Sequence, residues 1–325
     1  MVENQFTTTA AVLSDLSAEF DLCERFDEDA AEKVGEVFRR AGVVPMEVSC
    51  RVDRYGRMTI DAQTTRTYRL KINRAQLGRE LNRACGRQFM QPCVSTTHAQ
   101  CRFSVCERPQ YRILCGSAQH ASGGGALCGD STAQFYDGCG RFIAIVSDGM
   151  GTGGRAAVDG AMAAGMAQTL LKAGMGVEST LQIVNTALMA KSGDESLSTL
   201  DMAFIDLFTG RVEVKKAGAP ACFVCSRHKV SAMQTSSLPI GILQEVQYAS
   251  AATVLEDGDF LVLVSDGVLA AGTEWLHDLL AHEAGEDPEV LSRRIVERAL
   301  QERTDGHEDD VTAVTILLKK ERSYL

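Results

Sequence analysis

The chain has 325 residues, 45% of them hydrophobic and 23% charged, with a net charge of −10. This balance excludes a disordered or collagen-like chain and supplies enough apolar material for two domains, or one large domain with an appendage. No apolar run reaches the ~18 residues of a membrane-spanning helix, and no basic-then-apolar leader is visible at the N-terminus, so a cytosolic location is expected.

Residues 1–107 carry equal numbers of acidic and basic side chains, which leaves the whole negative excess in 108–325. A nucleic-acid partner is therefore disfavoured for the second part. Arginine and lysine concentrate over 51–87, against Asp53, Asp61 and Glu80 only. A solvated face is the expected reading, with an acidic partner as the alternative. Eleven cysteines are irregularly spaced, and most are expected to be buried free thiols. The one CxxC, Cys222 and Cys225, sits in a predicted strand, where residues three apart face opposite sides and cannot share a metal.

In chain order, a capped helix is predicted over 27–42, started by Asp27 or Asp29 and stopped by Gly42. Strands follow over 44–52 and 57–64. Leu77, Leu81 and Cys85 recur every fourth residue and predict a second helix, with further strands near 88–94 and 100–106. These elements make a small α/β regulatory or partner domain over 1–107. Pro109 marks the boundary, and a strand over 111–120 opens the second domain, 108–325. The glycine run 123–125 leads into Gly129-Asp130, and the apolar strand 142–146 leads into Ser147-Asp148-Gly149. Helices over 155–173 and 177–191 come next. The period then switches to two over 200–207, 211–217, 221–226, 229–233, 246–255 and 260–265. Helices over 274–282 and 288–303 and a strand over 311–318 close the chain. A helix pair among antiparallel strands predicts an α+β fold, a layered α-β-β-α sandwich, and not a parallel βαβ sheet.

Ser-Asp-Gly closes an apolar strand twice, at Asp148 and again at Asp266. A carboxylate at the end of a buried strand is costly without a compensating partner. Asp130, Asp148, Asp266 and Asp309, with Asp310 beside the last, therefore suggest one cluster of oxygen ligands for hard divalent cations. Two such ions roughly 3.5–4 Å apart need a bridging carboxylate; they activate a water and neutralise charge on a phosphoryl oxygen. Gly149 fits this reading, since no side chain would obstruct its carbonyl as a ligand. The chain reads as a metal-dependent hydrolase.

Gly129-Asp130, Val146-Ser-Asp-Gly-Met-Gly151, Ser198-Thr-Leu-Asp201, Leu238-Pro-Ile-Gly241, Val264-Ser-Asp-Gly267 and Asp309-Asp-Val-Thr312 occur in the order seen in PPM (PP2C-type) protein phosphatases. The chain resembles that family, and within it the phosphatase region of the stage II sporulation protein E branch. The resemblance covers about 108–320 well and extends weakly into 1–107, which is similar to the regulatory segment upstream of that region. It implies that Asp148 bridges two metals, that Gly149 is a carbonyl ligand, that Asp266 and Asp309 bind the second ion, and that Asp130 binds metal or metal-bound water. It implies Mn2+ or Mg2+ as cofactor and phosphoserine or phosphothreonine in a protein as substrate. For the sporulation branch it implies a phosphorylated anti-anti-sigma factor, whose dephosphorylation releases a sigma factor. A homodimer is implied by the resemblance alone, and membrane attachment only through a region absent from this chain. A catalytically weak pseudophosphatase that captures the phosphoprotein is the alternative class.

Other features carry weaker signals. Gly149, Gly151 and Gly154 also satisfy the GxGxxG dinucleotide fingerprint, but no acidic residue follows about 20 positions on to hold a ribose. Asp201 and Asp206 are read as strand caps or turn starters rather than ligands. His120 and His307 are candidate proton donors or orienting groups. Arg155 is a candidate phosphate contact, and Met150, Met162, Met166 and Met175 are read as core packing. The helix pair over 155–191, next to the loop of Asp148 and Gly149, is a candidate two-state switch.

Overall fold

The structure, a computed structural model, describes residues 24–65, 73–97, 100–122, 127–151, 153–191, 197–283, 285–303 and 309–321. His307 and the glycine run 123–125 lie outside the described residues. The chain divides into two compact units, Met1–Arg108 and Pro109–Leu325.

The first unit contains β1 (Glu24–Phe26), α1 (Glu28–Arg40), β2 (Pro45–Asp53), β3 (Met58–Thr65), α2 (Arg74–Cys85), β4 (Cys93–Thr96) and β5 (Gln100–Cys106). Asp27 caps α1 by accepting from the Ala30 N–H at 2.9 Å, while Gly86, at φ 65°, ends α2 in the left-handed region. The strands form one antiparallel sheet in the order β1-β2-β3-β5-β4. Val34, Val37 and Phe38 of α1 and Leu77 and Leu81 of α2 bury one face of it against Val52, Ile60, Phe103 and Val105. The predicted strand over 88–94 is replaced by the shorter β4. Pro92 has no N–H to give to a ladder, and Phe89 makes only an isolated bridge to Glu107.

The second unit contains β6 (Tyr111–His120), β7 (Asp130–Tyr136), β8 (Arg141–Asp148), α3 (Gly154–Lys172), α4 (Val177–Ala190), β9 (Leu200–Asp206), β10 (Arg211–Ala217), β11 (Cys222–Ser226), β12 (Lys229–Met233), β13 (Ala249–Val254), β14 (Phe260–Val264), α5 (Asp266–Leu269), α6 (Glu274–His282), α7 (Pro288–Glu302) and β15 (Val311–Lys320). The strands make two antiparallel sheets, β13-β10-β9-β8-β7 and β12-β11-β14-β15-β6. Phe142, Ala144 and Val146 of β8 meet Leu261 and Leu263 of β14 and Val314 and Ile316 of β15 between the sheets. The alternate residues Ile143 and Ile145 pack outward on Ala163, Ala167 and Leu171 of α3 and Leu181 and Val184 of α4. On the far side, Val262 and Val264 pack on Leu276 of α6 and Leu291 and Ile295 of α7. The unit is thus an α-β-β-α sandwich with three apolar layers. Both faces of the central strands are covered, which is why they read as continuous apolar runs. The short helix α5, absent from the sequence-based prediction, begins at Asp266 itself.

Among the described cysteines, Cys50, Cys101, Cys222 and Cys225 are buried, but Cys93, Cys106 and Cys115 are exposed. The expectation of mostly buried thiols fails for these three; Cys93 and Cys115 lie on the edge strands β4 and β6. Cys222 faces the inter-sheet layer and Cys225 the helix layer, as period two requires. Among the described residues no helix is long and apolar enough to cross a membrane.

One charged pair interrupts the inter-sheet layer. Lys216 and Asp201 are register partners on β10 and β9, 0% and 1% exposed, and the Lys216 ammonium donates to the Asp201 carboxylate. It also donates to the Pro220 carbonyl at 2.8 Å. Asp201 is therefore neither a ligand nor a strand cap. Removing one partner leaves an uncompensated buried charge, whereas removing both leaves an apolar contact. Asp201→Leu is expected to lower stability by about 3–5 kcal/mol, and the double variant Asp201→Leu with Lys216→Met by much less. Urea melts of the parent, both single variants and the double variant check this; additive losses would refute the pairing.

Candidate metal centre

Asp130 opens β7 and Asp148 closes β8, and the two are direct register partners. Asp148 lies on the same strand face as Val146, Ala144 and Phe142, so its side chain belongs to the crevice between the sheets. The second sheet reaches the same end. Ser265 follows β14, Asp266 opens α5, and Asp309 and Asp310 precede β15. The Ser265 N–H donates to the Thr312 carbonyl at 3.0 Å, and the Thr312 N–H donates to Ser265 Oγ at 2.9 Å. All four predicted aspartates are therefore gathered at one end of the sandwich, two from each sheet.

Each of three of these carboxyls is raised by burial and by its neighbours. Burial, followed by the charges of Asp130, Asp266 and Asp309, pushes the Asp148 carboxyl up to about 9. Burial also raises Asp130, to about 6, with the Thr312 and Ser265 hydroxyls opposing it and the charges of Asp310 and Asp266 adding to it. Asp309 is raised by burial and then by Asp266, and is partly relieved by the Asp310 N–H and Arg303. Asp130 is 5% exposed, and neither of its carboxylate oxygens has a hydrogen-bond partner.

Several residues that build this end carry no motif of their own. Gln119 Nε2 donates to the Asp130 carbonyl at 3.3 Å and to Thr312 Oγ1 at 3.2 Å, linking the two sheets across the crevice. Asp310 accepts from the Ser122 N–H at 2.7 Å and the Gly129 N–H at 2.6 Å, so its carboxylate is spent on holding the chain before Asp130. This separates it from Asp309, whose Oδ1 accepts from the Asp310 N–H at 2.9 Å and, among the described residues, from no other group. Arg303 donates to the Asp309 and Gly267 carbonyls, both at 2.9 Å, and ties the two acidic loops of the second sheet together. Arg303 and Gln119 had no local sequence signal, because each matters only through its partners in space.

The glycines have a reason beyond carbonyl access. A Cβ on Gly149 would stand 1.9 Å from the Ala156 carbonyl oxygen, and one on Gly160 would stand 2.4 Å from the Gly129 carbonyl oxygen. Helix α3 thus rests backbone to backbone on the loops that carry Asp130 and Asp148.

Other candidates lie elsewhere. Gln119 faces the crevice, so its neighbour His120 points to the opposite face of β6, the side on which Ala118 packs against the helix layer. Asp206 Oδ1 accepts from the Phe208 and Thr209 N–H groups, as a turn starter does. Arg155 is exposed on the first turn of α3. Met162 and Met166 pack against the helix-side core, but Met150 is 51% exposed, which corrects its assignment to the core. β8 pairs antiparallel with both neighbours, so the glycine run after it does not begin a Rossmann unit.

The donor chemistry fits a hard divalent cation: oxygen donors only, mutual repulsion, and one buried carboxylate with no hydrogen-bond partner. Among the described residues, no group of three or more His, Cys, Asp or Glu side chains is already arranged to hold a metal ion. The cluster is an open one.

The family model for stage II sporulation protein E matches residues 138–319. Stage II sporulation protein E of Bacillus subtilis (strain 168) is 30% identical over 212 residues, covering 63% of this chain and 26% of that protein. The Priestia megaterium protein of the same name is 28% identical over 235 residues, covering 70% of this chain and 40% of that protein. The chain therefore spans well under half the length of these relatives. Among solved structures, the PP2C phosphatase domain with a fragment of the regulatory domain of SpoIIE from Bacillus subtilis matches at a TM-score of 0.74 and 23% identity, over 99% of this chain and 97% of that one. The phosphatase domain of the same protein alone matches at a TM-score of 0.52 and 26% identity, over 67% of this chain and 98% of that one.

Because Asp148 is raised in the folded state, the native protein holds a proton that the unfolded chain releases near pH 4. Stability from this group is present at low pH and is lost as pH rises towards about 9. In chelator at pH 8, Asp148→Asn is expected to be more stable than the parent by about 1–3 kcal/mol, with the gap closing towards pH 4. Paired denaturant melts across that range check it; a parent that is the more stable at pH 8 would contradict the cluster.

Proposed function

This chain belongs to the stage II sporulation protein E family, and on that premise we propose that it is a metal-dependent protein serine/threonine phosphatase. The observation that carries the reading is the gathering of Asp130, Asp148, Asp266 and Asp309 from both sheets, with the buried Asp130 carboxylate lacking any hydrogen bond. Asp148, the Gly149 carbonyl, Asp266 and Asp309 would hold divalent cations, Mn2+ or Mg2+, and Asp130 would take metal or metal-bound water. Bound there, the cations supply positive charge for a phosphoryl group and acidify an attacking water. The chain's own part is to place these oxygens at one end of the two sheets.

Asp266 is exposed and Asp309 half-buried, so the mouth of the crevice is shallow on the side of the second sheet. A shallow acidic mouth suits a phosphorylated side chain presented by another protein better than a small enclosed metabolite. The family resemblance points to phosphoserine on an anti-anti-sigma factor as the substrate. The alternative reading is a catalytically weak pseudophosphatase that captures the phosphoprotein without turnover.

The test is turnover of p-nitrophenyl phosphate and of a phosphorylated anti-anti-sigma factor in Mn2+, with chelator as control. Activity is expected in Mn2+ or Mg2+, to vanish in chelator, and to fall at least ~100-fold in Asp148→Asn. Equal rates for parent and variant would overturn the mechanism. Retention of the phosphoprotein with no turnover by the parent would select the alternative reading.

A further inference from the structure

We infer that Ser198 and Thr199 are positioning residues that fix the direction of the Asp148 carboxylate, an inference that rests on the metal-site reading above. Regular pairing of β8 with β9 ends at Val146 and Asp201, two residues short of Asp148. Beyond that point an antiparallel bridge between Gly149 and Ser198 continues the register, and the hydroxyls of residues 198 and 199 add side-chain hydrogen bonds to the peptide groups of Asp148. The Thr199 N–H donates to the Asp148 carbonyl at 2.8 Å, and the Ser198 hydroxyl donates to the same oxygen at 2.8 Å. The Asp148 N–H donates to Thr199 Oγ1 at 3.1 Å. Ser147 Oγ lies 2.8 Å from both Ser198 Oγ and the Thr199 carbonyl, which closes the network.

A strand ending for structural reasons alone would need neither hydroxyl. Ser147 and Ser198 are both 0% exposed, and a buried hydroxyl is unfavourable unless it is bonded. Here the Ser198 hydroxyl lies within reach of the Asp148 carbonyl at 2.8 Å and the Thr199 carbonyl at 3.1 Å, and Thr199 Oγ1 takes the Asp148 N–H, so both peptide groups flanking the Asp148 Cα are held. The residues that follow make such a clamp necessary. Gly151 and Gly153 stand at φ 104° and 78°, so the chain after Asp148 has little conformational resistance of its own. An aspartate has two side-chain torsions, and where its carboxylate lies depends on how firmly its Cα is oriented.

The clamp is itself anchored. Ser198 exchanges both backbone hydrogen bonds with Ile240, at 3.2 and 2.9 Å. The loop after Ile240 is fastened to α4 by the buried Asn185, whose Oδ1 accepts from the Gly241 N–H at 2.7 Å and whose Nδ2 donates to the Leu243 carbonyl at 2.8 Å. The motifs Ser198-Thr-Leu-Asp201 and Leu238-Pro-Ile-Gly241 thereby act through Asp148, without contributing a ligand.

The test compares Thr199→Val, which keeps the shape and removes the acceptor, with Thr199→Ser, which keeps the acceptor, and with Ser198→Ala, all in the full chain. Mn2+ binding is measured by calorimetry. The Mn2+ concentration for half-maximal p-nitrophenyl phosphate hydrolysis and the melting temperature in chelator are measured alongside it. Thr199→Val and Ser198→Ala are expected to bind Mn2+ about 10–100-fold more weakly, while Thr199→Ser stays near the parent. Should Ser198→Ala not fold, the Thr199 pair decides alone. Parental Mn2+ affinity in Thr199→Val, or equal losses in Thr199→Val and Thr199→Ser, would overturn the inference while leaving the metal site standing. A folded parent that binds no Mn2+ would overturn both.

Discussion

Negative charge held out of water at one end of the sandwich is the constraint on which the rest of the second unit depends. Asp130 and Asp148 face each other across one ladder, and Asp266 and Asp309 approach from the other sheet. Asp130, Asp148 and Asp309 are each made harder to ionise, by burial first and then by the neighbouring carboxylates. No folding advantage comes from such a cluster in the absence of cations. Its cost is offset by the three apolar layers beneath and beside it. Local instability of this kind is the mark of a site arranged for a ligand rather than for the fold.

The surrounding architecture holds the aspartates at loop ends while keeping those loops rigid. Hydrogen bonds from Gln119, Asp310 and Arg303 fasten the chain on either side of the carboxylates, and most of them end on backbone atoms. Helix α3 adds a different constraint, since it meets Gly149 and the Gly129 carbonyl at distances that no side chain would permit. A movement of α3 and a movement of the Asp148 loop are therefore mechanically linked.

The first unit obeys simpler rules. Two amphipathic helices cover one face of its sheet, and the other face carries charged ladders such as Arg51–Asp61 at 2.8 Å, with Arg102 at 3.2 Å from the same carboxylate. Of the basic stretch predicted as a solvated face, Arg51 lies there. The solved relative that includes part of a regulatory domain matches almost the whole chain in fold, at 23% identity.

Read alone, the sequence determined the layer order and most element boundaries, and it singled out four aspartates as candidates. These rest on local signals: period-two and helical patterning, caps such as Asp27, and carboxylates that close apolar strands. It could not separate a solvent-exposed Met150 from the buried-side Met162, nor see that His120 turns away from the crevice through which Gln119 reaches. Nor could it tell that Asp201 would find Lys216 and that Asp310 would be spent on the Ser122 and Gly129 N–H groups. Each of these outcomes depends on which groups from distant segments meet and at what distance. Strand pairing and the close approach of α3 decide that, because a hydrogen bond or an ion pair forms only between atoms the tertiary fold has already brought together.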